Sequence, residues 1–117
     1  MSEPMSDSAM KLMVVILDQP ELIDDLITGY LDLGVQGATV IESRGMGQIV
    51  RQEMPMFAGL ASLFPESTGS RMVLSVMPEA LIDQVFGLIE ELVGALEQSN
   101  SAVCFTVPVD QFRGIRH

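Results

Sequence analysis

The chain repeats itself, and the repeat limits what it can fold into. Val14-Val15-Ile16-Leu17-Asp18-Gln19-Pro20-Glu21-Leu22-Ile23-Asp24 runs parallel to Val73-Leu74-Ser75-Val76-Met77-Pro78-Glu79-Ala80-Leu81-Ile82-Asp83. Each copy is an apolar, β-prone run that ends near a proline and passes into a helix whose first turns are acidic. The two strand–helix units are Lys11–Leu33 and Arg71–Gln98. Between them lies Gly45–Arg71, about 27 residues, against the roughly 4–6 of an ordinary connection. A small protein that keeps so long an excursion uses it, which points to a sensing or docking module more than to a catalyst.

Within each unit the local signals agree. Pro20 opens the first helix where its missing N–H is not needed. Glu21, Asp24 and Asp25 suit the positive end of the helix dipole. Leu22, Ile23, Leu26, Ile27, Tyr30 and Leu33 recur at the spacing of a buried face, and Gly34 follows as a left-handed cap. Pro78 starts the second helix, whose stripe is Leu81, Ile82, Val85, Phe86, Ile89, Leu92, Val93 and Leu96. Gly37–Ser43 and Ala102–Val109 read as the returning strands. Two right-handed crossovers in tandem give an α+β, ferredoxin-like βαββαβ sandwich, residues 11–117, with the long connection between the second and third strands inserted at 45–71 and a disordered tail over residues 1–10. Both helices then lie on one sheet face. The opposite face should be polar, yet Leu12–Leu17 and Met72–Met77 are apolar on both sides; such a surface marks an interface, so the chain is expected to be an oligomer closed by cyclic symmetry.

At 117 residues the chain makes one domain, and 48% apolar content supports a real core. A net charge of −10 argues against nucleic acid and anionic lipid as partners. No run reaches the ~20 apolar residues of a membrane span, no basic, apolar leader is visible, and the single Cys104 cannot form an internal disulfide, so a cytoplasmic location is expected. Of the six basic residues, Arg44, Arg51 and Arg71 occupy or bracket the long segment, and Arg113 and Arg116 lie near the C-terminus. Guanidinium groups so placed hint at an anion site; the plainer reading is that they pair with nearby acids or face water.

Residues 11–49 and 71–116 resemble the PII nitrogen-regulatory signalling proteins and their PII-like relatives. The resemblance is carried by Pro20 with Asp24-Asp25, by Gly34-Val35-Gln36-Gly37-Ala38-Thr39-Val40, Glu42 and Gly45-Met46-Gly47, by Phe105-Thr106-Val107-Pro108-Val109, and by Ile115-Arg116. It implies a homotrimer whose three sheets face the centre, and a T-loop, here Gly45–Arg71, that docks on a target enzyme, transporter or channel. It also implies clefts between subunits that take ATP, ADP or another small anion, in many members 2-oxoglutarate, which set the loop's conformation. By position, Thr39 would meet the adenine, Gly47 would lie near the phosphates, and Arg116 would reach the nucleotide. Arg44, Gly45, Gln48 and Arg113 complete the candidate ligand set. A plainer reading makes Thr39 an ordinary strand residue and gives Gly45 and Gly47 only a positive-φ turn.

The chain departs from that family in three places. The turn before the last strand, Gln98-Ser99-Asn100-Ser101-Ala102-Val103, lacks the glycines and lysine that cradle phosphate; Gly114 stands where the other C-terminal arginine is expected; Ile49 replaces a glutamine, with Gln48 adjacent. The long segment has no tyrosine to modify. It carries Met54-Pro55-Met56-Phe57-Ala58-Gly59-Leu60-Ala61-Ser62-Leu63-Phe64-Pro65, in which Phe57, Leu60 and Phe64 have helical spacing. Met54, Met56, Phe57, Leu60, Leu63 and Phe64 are therefore the candidate docking surface, unless the segment packs on its own trimer.

No metal-ligand spacing and no nucleophile–base pair is visible, and Asp24-Asp25 and Glu90-Glu91 are solvated helix surface, so no enzyme is expected. The leading expectation is a PII-like regulator of nitrogen or metabolite status. Its rival is an interaction trimer of the same fold that has lost effector binding.

Overall fold

The computed structural model describes residues 9–53, 56, 69–96 and 101–114. Strand β1 (Met10–Leu17) leads through a 3-10 turn, Pro20–Leu22, into α1 (Ile23–Leu33) and on to β2 (Thr39–Ser43). A short helix α2 (Met46–Glu53) follows, then β3 (Ser70–Pro78), a 3-10 turn over Glu79–Leu81, α3 (Ile82–Val93) and β4 (Ala102–Val109). The repeat holds down to the turns: a 3-10 turn precedes each α-helix at equivalent positions, with Pro20 inside the first and Pro78 closing the strand before the second. Gly34 caps α1 at φ 89°, ψ 14°, the left-handed conformation that glycine adopts without a Cβ penalty.

All strand pairs are antiparallel, in the order β2-β3-β1-β4. The two strands of each repeat are thus not neighbours. Each repeat leaves a gap that the first strand of the other fills, which is the α+β, ferredoxin-like arrangement. On the covered face, Met13, Val15, Leu17, Val73 and Met77 from the sheet pack with Leu26 and Tyr30 of α1 and Val85 and Ile89 of α3. Fully burying a side chain of this size contributes about 1.5–3 kcal/mol before entropy is counted. The helices approach closely at Gly29, where a Cβ would lie 2.5 Å from Leu88 Cδ1. Cys104 is partly buried against this core.

Tyr30 is 2% exposed, and its hydroxyl has no hydrogen-bond partner among the described residues. Burial, with a smaller contribution from nearby Cys104, pushes that hydroxyl well above the usual phenol range. The Cys104 thiol is also raised, by burial first and Glu90 second.

The other sheet face carries no helix among the described residues, and the register lays apolar side chains across it in rows. Thr39, Leu74, Val14 and Phe105 form one row; Ile41, Met72, Ile16 and Val103 a second; Val76, Leu12 and Val107 a third. Val103 is 59% and Phe105 44% exposed. The two-sided character expected of β1 and β3 is therefore real. Val15 points to the helices and Val14 to the open face.

The structure differs from the sequence reading in the elements that bracket the long connection. The returning strand starts at Thr39 rather than Gly37, and β3 runs from Ser70. A helix, α2, occupies Met46–Glu53, at the start of a stretch read as loop. The helix expected over Met54–Pro65 lies outside the described residues, except that Met56 is exposed.

Candidate functional site

A cavity of about 360 Å³ opens where the connection from α1 to β2 meets the edge of the open sheet face. Leu12, Leu74 and Val76 line it from β1 and β3, Gln36–Thr39 from the connection, and Phe112 from the segment beyond β4. Thr39 is the register partner of Leu74, so both project from the open face. The connection is tied down from behind: Ser75, 3% exposed, donates its hydroxyl to the Gly37 carbonyl at 2.5 Å. Val35 N–H also donates to the Tyr30 carbonyl at 2.9 Å as the chain leaves α1. These bonds replace ladder pairing for residues 35–38, which is why β2 begins late. Among the described residues the cavity lining contains no titratable side chain.

The rest of the candidate ligand set lies at the far end of β2. Thr39 and Ser43 are four residue steps apart, roughly 13 Å of strand. There Arg44 is exposed, and the Gly45 carbonyl accepts the Ile49 N–H at 3.1 Å, making Gly45 the N-cap of α2. Gly47 falls in the first turn of that helix, as does Gln48. The first amides of α2 have no partner within the helix, so the start of α2 beside Arg44 offers N–H donors to an anion. Gly45 is not among the positive-φ glycines, and a Cβ there would meet nothing within 4 Å. Turn geometry therefore does not explain glycine at this position, contrary to the plainer reading. The buried Ser43 hydroxyl, two positions before Gly45, has no hydrogen-bond partner among the described residues.

The arginines separate. Arg71 stands opposite Glu42 in the register, 3.9 Å from its carboxylate, and also donates to the Ser70 carbonyl at 3.1 Å. It clasps the root of the long connection, the plain role allowed for it; with Glu42 largely exposed the pair contributes little stability. Arg113 is exposed, one residue beyond Phe112. Arg116 and the docking candidates Met54, Phe57, Leu60, Leu63 and Phe64 lie outside the described residues, as do the side chains of Gln48 and Arg51. The structure thus puts Thr39 in one cavity with residues that spacing alone did not single out as ligands: Leu12, Leu74, Val76 and Phe112. The cross-strand register would have revealed the first three; nothing in the polar stretch around Phe112 marks it.

Among the described residues no cluster of His, Cys, Asp and Glu could hold a metal, and no helix is long and apolar enough to cross a membrane.

No curated protein matches the chain. Among solved structures, PII of Arabidopsis thaliana bound to citrate superposes with a TM-score of 0.61 at 20% identity, over 91% of this chain and 82% of that one. CPII from Thiomonas intermedia K12, bound to ADP, AMP and acetate, superposes at 0.64 and 19% identity, over 90% of each chain. The same CPII bound to ADP, AMP and bicarbonate superposes at 0.60 and 16% identity, over 92% of this chain and 97% of that one. At these identities the likeness establishes the fold. The family model described as "Nitrogen regulatory protein P-II" matches residues 10–117, nearly the whole chain, and the chain belongs to that family.

Proposed function

We propose that this chain is a trimeric, non-catalytic PII-like regulator of nitrogen or metabolite status that works in the cytoplasm. It binds a small anionic effector, an adenine nucleotide foremost, in the clefts between subunits, and signals to a target enzyme, transporter or channel through the connection between β2 and β3. One observation carries the reading: a single five-residue strand, β2, has the Thr39 cavity at one end and the root of the long connection at the other. A ligand bridging from Thr39 to Arg44 and the start of α2 would brace the whole of that strand, which is an edge strand with exposed residues. The connection it anchors would then favour one conformation. The ADP- and AMP-bound relatives support the nucleotide, and the citrate-bound one supports a carboxylate as the alternative anion.

The trimer reading rests on the open face, whose rows of Leu, Ile, Val, Met and Phe would otherwise face water. The rival, an interaction trimer without effector, is favoured by the turn at Gln98–Ser101, which lacks the glycines and lysine of a phosphate cradle. Thermal unfolding with ATP, ADP, AMP, citrate and bicarbonate separates the two. An effector at about 100 times its dissociation constant adds about 2.7 kcal/mol per site and raises Tm. Stabilisation by an adenine nucleotide supports the regulator; a Tm unmoved by every compound leaves the interaction trimer.

A further inference from the structure

Phe112 is the half-buried residue of an otherwise exposed segment. It follows β4 in a segment where Asp110, Gln111, Arg113 and Gly114 are all exposed, and it alone turns inward. It belongs neither to the hydrophobic core nor to the side chains packed against that core. It lines the Thr39 cavity together with Leu12, Leu74 and Val76. Among the described residues its lining has no titratable side chain; what it offers is aliphatic surface, one aromatic ring, and hydrogen-bonding groups from Gln36, Thr39 and the backbone between them. A flat heteroaromatic ring matches that lining: its faces take apolar and aromatic contact, and its edge takes amide, hydroxyl and backbone partners. Citrate and bicarbonate have no such face.

Resting on the nucleotide reading above, we infer that Phe112 is the specificity-determining residue for the base. Its ring stacks on the nucleobase and makes the site select nucleotides over ring-free anions. Arg113, next in the chain, is exposed. Affinity lost with the departing lysine–glycine cradle and with arginine at position 114 is thereby moved from the phosphate end of the ligand to its base.

Isothermal titration of the full-length protein with ADP and with pyrophosphate, on wild type, Phe112→Leu and Phe112→Tyr, tests this. Circular dichroism confirms that each variant is folded. Leucine keeps the apolar bulk and removes the ring; tyrosine keeps the ring. The expected result is ADP binding weakened about ten- to hundredfold in Phe112→Leu, retained in Phe112→Tyr, with pyrophosphate affinity the same in all three. ADP binding in Phe112→Leu equal to wild type overturns the role of Phe112 and leaves the nucleotide reading standing. Equal losses for ADP and pyrophosphate also overturn it, because the residue would then be shaping the site as a whole. Wild type that binds no ADP overturns both.

Discussion

Thr39 and Phe112 line one cavity from distant parts of the chain. Thr39 stands out in the sequence, in an ordered set of glycines and a strand; Phe112 does not, being one apolar residue in a polar tail that the backbone beyond Val109 brings to Leu12 and Val76. Tyr30 was legible as a core residue from its spacing, whereas its stranded hydroxyl was not, because spacing says nothing about partners. A buried hydroxyl without a partner costs about 1–3 kcal/mol. Tyr30→Phe is therefore expected to stabilise the protein by about 1 kcal/mol, read as a higher Tm at matched protein concentration. A lower Tm would show that assembly gives the hydroxyl a partner.

At the level of elements, the strands and long helices followed their signals, since apolar periodicity over eight or more residues outweighs local exceptions. Helix α2 escaped. Met46, Ile49 and Val50 have helical spacing, but Gly45-x-Gly47 suggests a loop, and a helix of eight residues is marginal on its own. Two glycines inside longer helices give a sharper test of packing. Gly29 of α1 faces Leu88 of α3, where a Cβ would come within 2.5 Å of one methyl and 3.1 Å of the branching carbon. Gly87 of α3 has nothing within 4 Å of such an atom. Gly87→Ala should gain about 1 kcal/mol from helix propensity. Gly29→Ala earns the same propensity but pushes Leu88 out of its place, and overpacking of this kind costs typically about 1–3 kcal/mol. Chemical denaturation should rank Gly87→Ala above wild type and Gly29→Ala at or below it; equal gains would mean the helices part without cost.

For the whole molecule, the two faces of one strand make a clean experiment. Val14 and Val15 are adjacent, similar in size, and 5% and 0% exposed, yet they face opposite ways. Val14→Glu puts a charge in the middle of the open face; the expected outcome in sedimentation is a folded monomer, because an unpaired charge in an apolar interface is strongly unfavourable. Val15→Glu puts the same charge among the helices and should prevent folding altogether. A Val14→Glu protein that sediments as a trimer would remove the open face from the assembly. That the face is apolar could be read from the sequence; which of the two valines belongs to it needed the register.

The interleaved strand order also governs when the protein can fold. Among the described residues β1 pairs only with β3 and β4, and β2 only with β3. The partners of β1 lie about 55–70 and about 85–100 positions further along the chain, so its ladder is built entirely from distant contacts. While the ribosome is still making the long connection, the first half of the chain has a helix and two strands but not one strand pair to join them, and its apolar runs wait unpaired. Emergence of β3 is the event that lets the sheet begin, and β4 completes it. A nascent chain of this design stays open until most of it exists, and its exposure to chaperones and proteases is set by the time spent synthesising the very segment proposed to carry its signal.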